Sequence, residues 1–152
     1  MKCLAIGVLT IATLAACATA GKLTDSERLA LYRGHAGAPV RSFQYFNALN
    51  GWTELGDSAL AVWTKPNEAW LLELGGPCMD LSYAPAISVT NMMGQVSARF
   101  DKVIVLGANP GIGRIPCRIE SIRPVDVKAV RASEKQLRQA KLEARADDAP
   151  SQ

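Results

Sequence analysis

Histidine is almost missing from this chain: there is one, His35, in 152 residues. A lone imidazole excludes most zinc sites and most Ser–His or Cys–His machinery, which need a second ligand or an oriented base. A large excess of one charge is missing as well. Seventeen basic residues against fourteen acidic ones leave a formal charge of +3, too little to neutralise a nucleic-acid backbone. The uncharged apolar run at residues 4–16 is thirteen residues long. As a helix it covers about 20 Å, short of the ~30 Å of a hydrocarbon core, so it does not read as a membrane span. No GxSxG and no CxxC occurs, and no P-loop or dinucleotide fingerprint is complete; the loops that cradle phosphate or present a nucleophilic serine are therefore not expected. The chain is nevertheless 49% hydrophobic, too apolar for a disordered polypeptide and long enough for one domain.

What is present begins at the amino end. Met1-Lys2 gives a short positive start, and residues 4–16 then form a run of signal-peptide length. The run ends in Leu14-Ala15-Ala16-Cys17, which resembles the lipobox of bacterial lipoproteins: a branched residue, two small ones and a cysteine. The resemblance implies cleavage before Cys17 and diacylglyceryl attachment to its sulfur, with palmitate-like chains anchoring the mature protein. Ordinary secretion, with cleavage near Ala18 or Ala20, is the alternative. Ala18 stands where the usual inner-membrane retention signal would place Asp. The expected address is therefore the periplasmic face of the outer membrane.

Removal of residues 1–16 takes Cys3 away, and lipid occupies Cys17, leaving Cys78 and Cys117. In an oxidising compartment these two are expected to form a disulfide. Closing a loop of about 40 residues stabilises by roughly 4 kcal/mol on the chain-entropy model. A redox or metal-binding pair is the rival, and it wants a local CxxC or a neighbouring histidine.

Residues 17–39 read as a lipidated tether with one or two helical turns, capped by Asp25 or Ser26 and ending near Tyr32, before Gly34, Gly37 and Pro39 break the helix. His35 is expected to be a solvated linker residue. From Val40 onward, short runs of β formers alternate with turn residues. Strands are expected at 40–46, 52–55, 59–64, 69–74, 87–90, 95–100, 102–106 and 117–123. The hairpin around Lys65-Pro66-Asn67-Glu68 is the clearest, because Pro66 pre-sets a turn and cannot donate to a ladder. Its two strands are almost continuously apolar, which places them at the centre of a sheet. A helix follows Asp126 and becomes polar after Ser133. The fold class is therefore α+β, mainly β: a curled antiparallel sheet of about six or seven short strands, a partial barrel, followed by a C-terminal helix. The globular domain is expected at 40–131, and 132–152 as a polar helical extension and tail. Trp52, Trp63, Trp70, Phe43, Leu72 and Val105 are expected in the core. No internal repeat is evident.

Candidate chemistry is sparse. Gly107 to Arg114 is glycine-rich, but Pro110 and Pro116 interrupt any phosphate-loop pattern and a strand follows, so a hairpin connection is expected. Asp80 and Glu120 flank the two cysteines in sequence and form the one candidate carboxylate pair for acid–base work. Lys128, Arg131, Lys135, Arg138, Lys141 and Arg145 recur at helical spacing as a basic stripe. It suits anionic lipid or an acidic partner, or else forms a solvated face with pairs such as Glu134–Arg138.

Gly51-Trp52, Leu55-Gly56-Asp57, Val62-Trp63-Thr64-Lys65-Pro66, Gly76-Pro77-Cys78-Met79-Asp80-Leu81 and Ile122-Arg123-Pro124-Val125-Asp126-Val127-Lys128 together resemble an uncharacterised family of small proteobacterial lipoproteins, defined by a domain of unknown function. The resemblance runs from about Phe43 to Arg131. It implies an envelope protein and carries no activity, cofactor or catalytic residue. The expected function is a lipid-anchored periplasmic protein that binds or assembles rather than catalyses, with no cofactor, metal or nucleic acid and possibly an envelope protein as partner. The candidate surface is Pro77, Asp80, Tyr83 and Pro85. A carboxylate-dependent enzyme on an envelope substrate and a carrier of apolar ligand are the alternatives.

Overall fold

Turn residues cut the β-forming stretches into eight short strands, and these pair into two antiparallel sheets. The computed structural model describes residues 22–46, 48–107 and 115–147. The expected signal and lipid site at residues 1–17, most of the glycine-rich connection and the end of the expected tail lie outside the described residues. The strands are β1 (Ser42–Gln44), β2 (Gly51–Glu54), β3 (Ala59–Lys65), β4 (Glu68–Leu74), β5 (Ala86–Val89), β6 (Gln95–Ser97), β7 (Lys102–Leu106) and β8 (Ile115–Val125). Six of them form a curled half-barrel sheet in the order β2-β3-β4-β8-β7-β5, and β1 pairs with β6 as a small second sheet. Among the described residues there are two α-helices, α1 (Asp25–Gly34) and α2 (Val127–Asp147). The expected curled antiparallel sheet is present with six strands, and the other two strands pair apart from it.

The period-two alternation of β3 explains both faces of the main sheet. Leu60 and Val62 point into the curl, where they pack with Phe43, Leu72, Val96, Val103, Val105, Ile119 and Ile122. Ala59 and Ala61 point the other way, toward Leu31, Tyr32, Leu55, Leu71 and Val130 beneath the helices. Burial of each large aliphatic side chain contributes about 1.5–3 kcal/mol. The β3–β4 hairpin is in place, with Val62 opposite Trp70 and Ala61 opposite Leu71, and both strands lie inside the sheet as their apolar runs predict. β7 and β8 are antiparallel neighbours, so the glycine-rich segment joins adjacent strands.

Three expectations change. First, residues from Leu23 onward are part of the folded body rather than a tether. Thr24, not Asp25 or Ser26, caps α1: its hydroxyl accepts from Glu27 N–H at 3.2 Å and its own N–H donates to the Glu27 carboxylate at 2.7 Å. That reciprocal pair satisfies two orphan donors and carries the helix to Gly34. The following stretch runs along β8, with Gly37 N–H on Pro124 O and Val40 N–H on Ile122 O, both at 2.8 Å. His35 is half-buried and its Nε2 lies 2.9 Å from Ser133 Oγ. Second, the strand expected at 95–100 ends at Ser97, because Asp101 turns the chain back: its carboxylate accepts from Ser97 N–H at 2.7 Å. Third, the tryptophans are only partly buried. Trp52 and Trp70 pack against the inner core, Trp70 stacking on Phe43 with ring centroids 5.0 Å apart. Trp63 lies on the helix side of β3, beneath the guanidinium of Arg131. Phe43, Leu72 and Val105 are in the core as expected.

Candidate functional site

β4 ends at a Gly75-Gly76-Pro77 turn that leads Cys78 back under the sheet, while Cys117 points inward from β8. The two sulfurs are bonded, with a Cα–Cα distance of 5.7 Å. Cys78 and Cys117 are both buried, and Cys78 N–H donates to Asp57 O at 2.7 Å. A bridge closed within the apolar core is a brace. The expected pairing is correct.

Beyond the bridge the chain makes a 3₁₀ turn, Leu81–Tyr83, that hangs from buried Leu81. Ser82 Oγ donates to Asp57 Oδ1 at 2.8 Å and fixes the loop to the β2–β3 turn. Asp80 sits at φ 62°, in the left-handed region that a short acidic side chain tolerates, and makes no side-chain cap bond to the turn. Pro77, Asp80, Tyr83 and Pro85 are all exposed. Met79 and Tyr83 project furthest, at 71% and 89% exposure. Of the four candidates only Pro77 lines a groove, beside Met79, Pro116 and Arg118.

Glu120 belongs to a different groove. A register shift opposite Glu73 and Leu74 lets β8 bulge at this residue. Its carboxylate lies between Arg99 and Arg118, each at 3.4 Å. The groove it lines has a volume of about 650 Å³ and runs between the small sheet and β8, past Arg41, Ser42, Arg99, Phe100 and Ile122. Asp80 is not among its lining residues. The two acids therefore do not share a pocket, and Glu120 is neutralised by arginines rather than poised beside a second carboxylate. The groove is not legible in the sequence, because residues 95–100 read as one strand that would carry Arg99 and Phe100. The Asp101 turn instead exposes them, with Arg99 at φ 69°.

The hollow of the curl holds no ligand cup; it is filled by Phe43, Leu60, Val62, Leu72, Val105 and Ile122. Among the described residues no group of three or more His, Cys, Asp or Glu side chains could hold a metal ion. No helix among them is long and apolar enough to cross a membrane.

The basic stripe on α2 divides into two parts. Asp126 starts the helix, its carboxylate accepting from Ala129 N–H at 3.0 Å, and Val127 and Val130 bury against the body. Arg131 donates to Pro66 O at 2.7 Å and Asn67 Oδ1 at 3.1 Å, clasping the β3–β4 turn. Together with Arg28, Tyr32, Trp52, Trp63 and Glu134 it lines a second groove of about 440 Å³. Farther along, Arg138 pairs with Glu134 and Lys141 with Glu27, both at 2.6 Å. The Lys141 ammonium and the two Thr24 bonds hold the Glu27 carboxyl down at about 2, against an ordinary 4.5.

A family model described as a family of unknown function, DUF6491, matches residues 1–141. No curated protein and no solved structure matches the chain.

Proposed function

We propose that this chain, which belongs to the DUF6491 family of unknown function, is a lipid-anchored protein of the bacterial envelope that acts by binding or assembly rather than by catalysis. Residues 1–16 are its signal, Cys17 carries the lipid, and the periplasmic leaflet of the outer membrane is its address. The observation that carries this reading is the buried Cys78–Cys117 bridge. Such a bridge forms and persists where thiols are oxidised, which is where a chain exported behind a lipobox would fold. The case for binding comes from the grooves. Their acids are engaged with basic side chains, Glu120 with Arg99 and Arg118 and Glu134 with Arg138. The loop beside the bridge meanwhile displays Met79 and Tyr83, large side chains that its own fold does not cover.

Intact mass of the protein extracted from native membranes, before and after reduction, tests anchor and bridge together. The expected species starts at Cys17, carries a lipid-sized increment and gains about 2 Da on reduction. A lipid-free chain, or one that retains residues 1–16, overturns the anchor. A photo-cross-linking residue at Tyr83 then tests the contact surface. A discrete adduct is expected, and a bare ladder identical to that of a label on β5 removes the loop from the proposal.

A further inference from the structure

The described residue nearest Cys17 in sequence decides what lies within reach of the anchor. Lys22 is the first described residue, and its carbonyl oxygen accepts from Lys141 Nζ at 3.4 Å. Leu23, immediately after it, is buried. The mature chain of the proposal above therefore has only residues 18–21 between its lipidated Cys17 and a point fastened to the distal half of α2. Five Cα steps reach at most about 18 Å in any conformation. Residues 135–147 of α2 extend about 18 Å as helix, so Cys17 lies within about one such length of Lys22, whose carbonyl Lys141 holds.

That distal half has the chemistry of a lipid surface. Residues 135–147 contain four basic side chains, Lys135, Arg138, Lys141 and Arg145, against two acidic ones, Glu143 and Asp147; Arg138 and Lys141 also pair with Glu134 and Glu27, which lie outside this range. All of them except Lys141 are exposed. Leu137 and Leu142 are 43% and 49% exposed and have no place in either core cluster. Long basic side chains lay their stems on apolar surface and lift their charges to the phosphates, so leucines flanked by Lys and Arg suit a headgroup layer.

We infer that residues 135–147 of α2 lie on the anionic phospholipid surface of the leaflet that holds the Cys17 lipid. The protein is thereby fixed at two points, one covalent and one electrostatic, and its orientation on the membrane is set. This inference rests on the lipid-anchor reading. Basic residues near an anionic leaflet are attracted to it, and a second weak contact beside an existing anchor gains from the high effective concentration.

The test uses the full acylated protein, its lipid verified by mass, in vesicles of phosphatidylcholine alone or with one-quarter phosphatidylglycerol (about 25%). Hydrogen exchange of amides 135–147 is expected to slow by about tenfold in the anionic vesicles and not in the neutral ones. The K135Q/R138Q/R145Q variant should lose that protection while keeping its melting temperature. Equal exchange in both vesicles overturns the inference and leaves the anchor standing; protection in native membranes alone assigns the helix to a protein partner instead. A mature chain without lipid overturns both.

Discussion

Glu27 does two jobs with one carboxylate: it closes the capping box of α1 through Thr24 N–H, and it holds α2 through Lys141 at 2.6 Å. Its folded value near 2, below the ordinary 4.5, fixes the sign of a pH effect. A depressed carboxyl adds stability that is complete above its unfolded value and is lost as pH falls through the folded one. The thermal midpoint of the wild type should therefore fall more steeply than that of Glu27→Gln between pH 4.5 and about 2. A constant difference between the two curves across that range would show that the clasp is not formed in solution. The disulfide acts instead on the unfolded chain. With its ends 39 positions apart in sequence, its removal in C78A/C117A should cost about 4 kcal/mol on the loop-entropy account. Urea unfolding of this variant and of the reduced wild type should give similar drops, and an unchanged midpoint on reduction would sink the brace.

At the scale of elements, the β3–β4 hairpin shows what the sequence makes legible. Two apolar runs of strand length flank a turn that Pro66 dictates, so pairing, position and register are all local information. Its tip is held by something the sequence does not show. Arg131 comes from α2, sixty-five positions from Pro66, and spreads its guanidinium between two hydrogen bonds and the Trp63 ring, 5.4 Å away. Arg131→Ala should cost about 1–2 kcal/mol and perturb tryptophan fluorescence, with Arg131→Lys recovering less than half because an ammonium lacks the planar fork. Full recovery by lysine would reduce the contact to simple charge. The same distance in sequence hid other features. Residues 17–39 read as a tether because their buried anchors are few, Leu23, Leu31 and Tyr32, and the surface that receives them is assembled from Ala61, Leu71 and Val130. In sequence β1 and β6 read as ordinary members of one sheet, since nothing local tells Phe43 that it will pair with Val96. The bridge is the exception among long-range contacts, because reading Cys3 as part of a signal and Cys17 as a lipid site leaves Cys78 and Cys117 with one pairing. The Arg99–Glu120 groove depends on a bulge and a turn, both consequences of register.

For the whole molecule, β8 is the spine. It pairs with β4 and β7, carries Cys117, receives the 36–40 segment and leads through Asp126 into α2. The amino-terminal segment and the carboxy-terminal helix are thus fixed to one strand and then to each other through Glu27 and Lys141, which brings the point of departure toward Cys17 beside the polar half of α2. If the shortness of that departure is what holds the helix on lipid, lengthening it should separate folding from orientation. A Gly/Ser insert of about 20 residues between Ala20 and Gly21 adds roughly 25 Å of mean reach. It lowers the effective concentration of the helix at the leaflet and leaves every described residue in place in the sequence. The melting temperature should stay unchanged, and the lipid-dependent protection of residues 135–147 should fall several-fold toward its value in neutral vesicles. Retained protection would mean that the basic helix holds lipid by its own affinity. A lowered melting temperature would mean instead that the residues before Lys22 contribute contacts to the fold and that the short spacer is structural.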